Sequence, residues 1–384
     1  MNWAQVAALV AKEWREILRD RVYFMLAFIL PAVLMFVFGY GVTQDVEHVP
    51  LAILDEDRSA MSRDYAQHFI ASRYFNFRGY LADARAVDRR LAAGDVTVVI
   101  TIPSHYEERL LAGDAVVVQG VLDGTFTGRV FTIRGYIEAI NRAANGELQA
   151  MYLARTLGAT EHQIGVLLQP LRLQVRYQYN QDLESVWGVA ASMLMFILLM
   201  TAPLLTSISV VREKETGSIY NIYASSIGRA EFLLGKLIPN VTLSYINALL
   251  LWVIAVYYFG APFRGGALFF FAVTLIYIVC VSTIGLLISL LVSTQQAAII
   301  ISIIFAVVSG ISFSGMNSPV ASMTGANYVV AHLLPAMYYE DVVEGVFLKG
   351  AGAATLWPQA LVLSGYSLLL LALAHRLFHK RQRP

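Results

Sequence analysis

Uncharged apolar runs alternate with charged segments along this chain, and the pattern predicts six membrane-spanning helices. The first run, residues 22–42, holds no Asp, Glu, Lys or Arg, and as a helix it would extend about 31 Å, one hydrocarbon thickness. Five more uncharged runs follow at 187–211, 237–259, 267–292, 297–316 and 356–374, each long enough to cross. A cleavable signal peptide is the competing reading of the first run, opposed by its length and by the lack of a small-x-small cleavage site. Ahead of it, residues 1–21 are amphipathic. At about 100° per residue Trp3, Val6, Val10, Trp14, Ile17 and Leu18 fall within an arc of about 120°, while Lys12, Glu13, Arg15, Glu16, Arg19 and Asp20 take the far side. That predicts a helix lying in the membrane interface, anchored by Trp3 and Trp14, or one packed on protein; the two are compatible.

The insert at 43–186 alternates differently. Strand-like runs at 49–54, 75–81, 96–102, 115–122 and 171–179 are separated by helical patterns, the last from about 130 to 157, which predicts an α/β domain. Arg90-Leu91-Ala92-Ala93-Gly94-Asp95 recurs as Arg109-Leu110-Leu111-Ala112-Gly113-Asp114, each reading as a helix end with a glycine cap. The segment 317–355 is also poor in charge at first, but Pro319, Pro335, Asn327 and His332 interrupt it. It reads as short re-entrant or interfacial helices rather than a seventh span.

Charge gives the orientation. Lys12, Arg15, Arg19 and Arg21, then Arg212, Lys214, Arg229 and Lys236, then Arg376, Lys380, Arg381 and Arg383 share one side of a six-span arrangement, opposed in the short loops only by Arg264 and Lys349. The positive-inside rule makes that side, with both termini and the loop 212–236 and tail 375–384, cytoplasmic. The fold class is therefore an α-helical polytopic membrane protein with an inserted extracytoplasmic α/β domain. The net charge of +1 conceals this sorting: twelve basic residues against six acidic inside, fourteen against eighteen in the large outer domain. With 57% hydrophobic and 14% charged residues, a plain cytosolic enzyme is excluded, and the total charge offers nothing for nucleic acid.

Candidate chemistry is sparse. No span contains an ionisable carboxylate or base, which argues against ion-coupled transport. Cys280, the one cysteine, sits among apolar residues and reads as a packed thiol. Gly228 to Lys236 imitates a P-loop but has six residues between its glycines instead of four, and Leu237 follows the lysine. No Gly-x-Ser-x-Gly or His-Glu-x-x-His motif occurs, so enzyme function is unsupported. His375 and His379, one turn apart, permit chelation but lack further ligands. Asp55, Glu56 and Asp57 read as a cation site or as a solvated turn with Asp57 or Ser59 capping the next helix. Glu340, Asp341 and Glu344 read as an acidic vestibule attracting cations or as the solvated face of a short helix.

The most informative segment is Arg212-Glu213-Lys214-Glu215-Thr216-Gly217-Ser218-Ile219-Tyr220. Topology needs its Arg and Lys but has no use for the interleaved glutamates, which leaves open a charged turn or a docking site. Together with the later Arg229-Ala230-Glu231-Phe232-Leu233-Leu234-Gly235-Lys236, it resembles the cytoplasmic element of ABC-2-type transporter permeases, with Ser218 where that family usually has Thr. The resemblance extends over the interfacial helix, the six spans, the irregular outer segment and the basic tail. It is narrower still to the subgroup with a large outer domain, through Ile53-Leu54-Asp55-Glu56-Asp57-Arg58-Ser59, the Gly94 turn into Ile100-Thr101-Ile102-Pro103, and Asp123-Gly124.

The resemblance implies a permease subunit of a bacterial inner-membrane exporter of drug-like amphiphiles. It implies a second permease copy, identical or homologous, and two separate ATPase subunits that carry ATP and magnesium; this chain itself has no cofactor. Some members also work with a membrane-fusion protein and an outer-membrane channel. Arg212, Glu213, Lys214, Glu215, Gly217, Ser218, Ile219 and Tyr220 would couple to the ATPase, and Met193, Phe196, Met200, Ile304 and Phe305 would line the substrate path. A membrane-anchored receptor and an ion-coupled carrier are the rival readings.

Overall fold

The computed structural model describes residues 2–41, 47–124, 127–157, 179 and 185–378. The chain divides into two compact units, Met1–Thr43 with Tyr177–Pro384, and Gln44–Arg176. Most of the expected strand 171–179, together with His379 and the rest of the tail, lies outside the described residues.

In the first unit six helices are long and apolar enough to cross a membrane: Arg21–Gly41, Ser185–Glu215, Arg229–Tyr258, Ala267–Leu291, Gln295–Ser312 and Ala353–Leu377. They are the first to sixth spans. The second is central. Its apolar window is wholly buried, and the first, third, fourth and fifth spans and the helix Pro335–Phe347 pack against it. A helix enclosed on all sides must be apolar or small all round, as Ala190 to Val211 is. Its hydroxyls bond back to carbonyls of the preceding turn, Thr201 to Ile197 at 2.8 Å and Thr206 to Ala202 at 2.9 Å, which satisfies these buried groups internally.

Two of these helices extend beyond their uncharged runs. The second span's helix runs on through Arg212, Glu213, Lys214 and Glu215, and the third begins at Arg229. The expected loop 212–236 shrinks to residues 216–228, with the short helix Ile219–Ala224 inside it. An apolar run ends where charge begins, whereas a helix ends where its hydrogen bonds do, and here the charges have partners. Between the fifth and sixth spans lie Val320–Ser322, Ala326–His332 and Pro335–Phe347, three short helices rather than a seventh span. Pro335 opens the last at the helix's first position, where a missing N–H has no consequence. Tyr339 of that helix stacks on Tyr277 of the fourth span with ring centroids 4.0 Å apart, and its hydroxyl lies 2.8 Å from Thr274 Oγ1.

The second unit has a four-stranded sheet in the order β2-β1-β3-β4, with β1 Val49–Asp55, β2 Phe75–Tyr80, β3 Val98–Ile102 and β4 Gln119–Leu122. β1 is parallel to both neighbours and β4 is antiparallel to β3. Moving out to β2 and back across to β3 with right-handed crossovers puts the connecting helices on opposite faces. Accordingly Leu51 and Ile53 pack with Tyr65 and Phe69 of Ala60–Ile70, while Ala52 and Leu54 pack with Val87 of Ala84–Ala92. The long helix Thr127–Leu157 adds Ile133 and Ala144 to the first of these cores.

The repeated hexapeptide is structural. Asp95 N donates to Arg90 O at 3.1 Å and Gly94 N to Leu91 O at 3.0 Å; Asp114 N to Arg109 O at 2.9 Å and Gly113 N to Leu110 O at 3.1 Å repeat the pattern. Both are Schellman ends, with the glycines at φ +72° and +84°. The acidic cluster is also absorbed locally. Ser59 caps the next helix by accepting from Ser62 N, and Asp55 accepts from Asp57 N, Arg58 N and Ser62 Oγ.

In the first unit, Gly285 of the fourth span lets the backbone of the second approach closely: a Cβ there would lie 2.4 Å from Pro203 O and 2.7 Å from its Cα. Neither is a side chain that can swing away. Gly285→Ala is therefore expected to lower the melting temperature of detergent-solubilised protein, at a cost of about 1–3 kcal/mol. Gly188→Ala, where nothing lies within 4 Å, should leave it unchanged. Equal melting of the two variants would refute this contact as the packing determinant.

Candidate functional site

The helix Trp3–Arg19, the end of the second span and the start of the third meet in a buried ionic cluster. Lys236 Nζ lies 2.5 Å from Glu13 Oε2 and 2.9 Å from Glu213 Oε1, and Lys12 Nζ lies 2.6 Å from the same Glu213 oxygen. Ser209 Oγ donates to Glu13 Oε1 at 2.6 Å, and Lys236 also donates to Ser209 O at 3.1 Å. The side chains of Lys236, Glu13 and Glu213 are 4–5% exposed, so each charge depends on its partners. Glu13, Glu16 and Glu213 each bring one oxygen to within 4.8 Å of the others. Lys12 and Lys236 already occupy this set, Lys12 reaching Glu16 as well at 3.5 Å.

The second motif supplies the landing face for the N-terminal helix. Glu231 Oε1 accepts from Asn2 N at 3.0 Å. Gly235 admits Leu9, whose Cβ lies 2.6 Å from where a glycine replacement would place its own. Lys236 then closes on Glu13. Asp20 forms the corner into the first span: Oδ1 accepts from Val22 N and Tyr23 N, and Oδ2 pairs with Arg212 at 2.6 Å. Partial burial pushes its carboxyl up, but the Tyr23 N–H and the Arg212 guanidinium outweigh that and hold it below the ordinary value.

The motif Arg212 to Tyr220 thus has most of its charges committed. Arg212 holds Asp20, Glu213 is buried, and Lys214 donates to Ser289 O and to Val292 O at the end of the fourth span. Glu215 is exposed and accepts from Gln295 N at 2.7 Å and from Gln295 Nε2 at the start of the fifth span. Gly217, at φ +72°, ends the helix, and Ser218 Oγ returns to Glu213 O at 3.4 Å. Ile219 is buried, while Tyr220 is 56% exposed. Of the eight residues expected to couple, Glu215, Thr216's neighbour in this turn, and Tyr220 carry the exposed side chains.

The expectation that Glu13 lies on the solvated side of its helix is corrected. At 100° per residue Glu13 projects only about 20° beyond the apolar arc, next to Val6, and Val6, Glu13 and Ile17 form the buried strip. That nearness to the arc's edge was the signal in the sequence. Trp14 is half-buried against a core containing Ile17, Tyr23 and Leu204, whereas Trp3 is 65% exposed, so the two tryptophans do different work. The expected substrate-path residues do not come together on one surface. Met193, Phe196 and Met200 are buried in the central span, Phe305 is half-buried and Ile304 is 56% exposed. A side chain enclosed by its own protomer packs the core; Phe196, for example, fills the space beside Gly310.

Removing one partner from such a cluster strands a buried charge, which costs about 3–5 kcal/mol. Lys236→Met should sharply lower the melting temperature and yield, and adding Glu13→Gln to the same chain should restore most of both. A single variant as stable as wild type would show that the cluster does not hold these helices.

Comparison with known proteins agrees with this geometry. Residues 22–376 match the profile of the family described as ABC-2 family transporter protein. The chain is 29% identical over 353 residues to the "Probable multidrug ABC transporter permease YbhS" of Escherichia coli (strain K12), covering 91% of this chain and 90% of that one. It is 25% identical over 352 residues to "Probable multidrug ABC transporter permease YbhR" of the same organism, covering 91% of each. It is 23% identical over 354 residues to that organism's "Inner membrane transport permease YhhJ", covering 92% of this chain and 91% of that one. A match spanning all six apolar helices and both charged motifs makes this chain a member of the ABC-2 family of transporter proteins.

Proposed function

We propose that the chain is the permease subunit of an ATP-binding-cassette exporter in the bacterial inner membrane, moving drug-like amphiphiles. Two copies, or one with a homologue, form the path, and two separate ATPase subunits dock on the cytoplasmic side at residues 216–226. The termini and this loop are then cytoplasmic, and Gln44–Arg176 is outside, where a membrane-fusion protein and outer channel could engage it. The names of the relatives support the cargo class and the membrane.

The observation that carries the reading is the mechanical continuity at the basic end. The short helix Ile219–Ala224 follows the second span after a tight turn. The second span is tied by ion pairs to the N-terminal helix and the third span, and by Lys214 and Glu215 to the fourth and fifth. A push on the short helix therefore reaches five helices at once, which is what a coupling element must do. Apolar faces on the first and fifth spans, such as Val33, Val37, Ile300 and Ile304, are left for lipid or for the second permease.

Glu213 is a poor probe of docking because its loss would unfold the cluster; Tyr220 is a clean one. In the complex of this chain with its ATPase, Tyr220→Ala should weaken ATPase retention about tenfold, equivalent to roughly 1.4 kcal/mol of docking contact, with the melting temperature of the chain alone measured beside it. Retention and cargo-stimulated hydrolysis equal to wild type would move the docking site elsewhere.

A further inference from the structure

At the end of the bundle away from the ionic cluster, the short helices between the fifth and sixth spans line an open-sided cavity of about 340 Å³. Glu340 lines it, 2% exposed, and neither of its carboxylate oxygens has a hydrogen-bond partner of good geometry. A buried, unpartnered carboxylate is costly to keep, and it is not the solvated helix face that the charge run suggested. Asp341 and Glu344 line the same cavity; Lys349, the one lysine or arginine among the lining residues, is engaged by Glu344 at 3.2 Å. Two rings also line it, Tyr328 and His332, with centroids 4.2 Å apart.

We propose that this cavity is a binding site for an organic cation, with Glu340 facing a bulky ammonium group and the Tyr328 and His332 rings covering its alkyl substituents. A metal ion fits worse: among the described residues these acids do not bring three ligand atoms within 4.8 Å of one another, and the volume far exceeds one ion. A diffuse cation needs an uncompensated carboxylate and aromatic faces instead, which Glu340 with the Tyr328 and His332 rings supplies. The cavity's volume is at the small end for drug-sized ligands, which suits the charged head of an amphiphile. Burial pushes the Glu340 carboxyl up to about 8, although the Ser192 hydroxyl favours ionisation. The empty site therefore holds a neutral acid at neutral pH, and the arriving cation displaces its proton. Asp341, Glu344, His332, Tyr328, Lys349, the neighbouring Tyr339 and, from the fourth span, Tyr277 are the other titratable groups around it. That the cation is cargo leaving the transporter rests on the export reading; the binding does not.

The test uses the purified full chain without ATP. Benzyltrimethylammonium and its uncharged carbon isostere, neopentylbenzene, are compared by equilibrium dialysis. Wild type should bind the cation at least about tenfold more tightly than the isostere, and Glu340→Gln should erase that difference, roughly the contribution of one desolvated charge contact. Glu340→Gln should melt no lower than wild type, because it removes a buried acid without a partner. Should that variant fail to fold, wild type alone decides: cation affinity should rise with pH and level off above about 8, by up to about tenfold per unit below that. Equal binding of cation and isostere, or cation affinity independent of both pH and Glu340, would overturn the proposal. Cation binding through Glu340 without ATP-driven efflux would instead count against the export reading alone.

Discussion

Lys236 is the constraint around which the basic end is built. An ammonium with 3% exposure cannot stay charged without carboxylates, and the two that serve it come from different helices far apart in sequence. Glu13 arrives on the N-terminal helix and Glu213 on the last turn of the second span. A hydrophobic trio of equal volume could hold the same helices at least as well, since desolvation offsets much of the Coulomb gain. What the ionic version adds is register. An ammonium with carboxylates at 2.5 and 2.9 Å fixes rotation and axial position of each helix, whereas apolar ridges tolerate sliding.

That register matters because the second span transmits it. Enclosed on all sides, it has no lipid face along which to move independently. Its contacts are backbone-close at Gly285 and hydrogen-bonded at Ser207 to Ser302 at 3.3 Å. In a membrane, where apolar side chains gain little by leaving lipid for protein, such close packing and polar bonding carry helix association. The first and sixth spans, with 28% and 17% of their windows buried, are held from one side only. The unit is therefore a stiff centre with loosely bound edges.

The hydrophobic pattern revealed the spans because membrane insertion itself selects on hydropathy, and the first strand of the second unit because a strand covered on both faces reads as a short continuous apolar run, as Leu51 to Leu54 does. The charged motifs were visible as motifs, but their partners were not. Partners on the N-terminal helix lie 201 to 223 residues away and those on the fourth and fifth spans 75 to 80, and no local signal says that Glu213 turns inward while Glu215 stays out. The wheel held a partial clue at Glu13, which sits at the edge of the apolar arc and was grouped with the solvated residues because its type is charged. The expected path residues differ in exposure, which hydropathy does not show. Met193, Phe196 and Met200 are as apolar as any lining would be, and sequence alone cannot tell a helix enclosed by its own protomer from one facing a partner.

The two ends of the bundle treat buried charge in opposite ways. At the basic end two carboxylates meet two ammonium groups, so the cluster is neutral by pairing. At the other end Glu340 has no ion partner within hydrogen-bond reach and stays neutral by keeping its proton. The paired arrangement suits a joint that must carry force without yielding; the unpaired one suits a site that must accept and release a charge. The second span joins the two, running from Ser192 beside Glu340 to Glu213 in the ionic cluster.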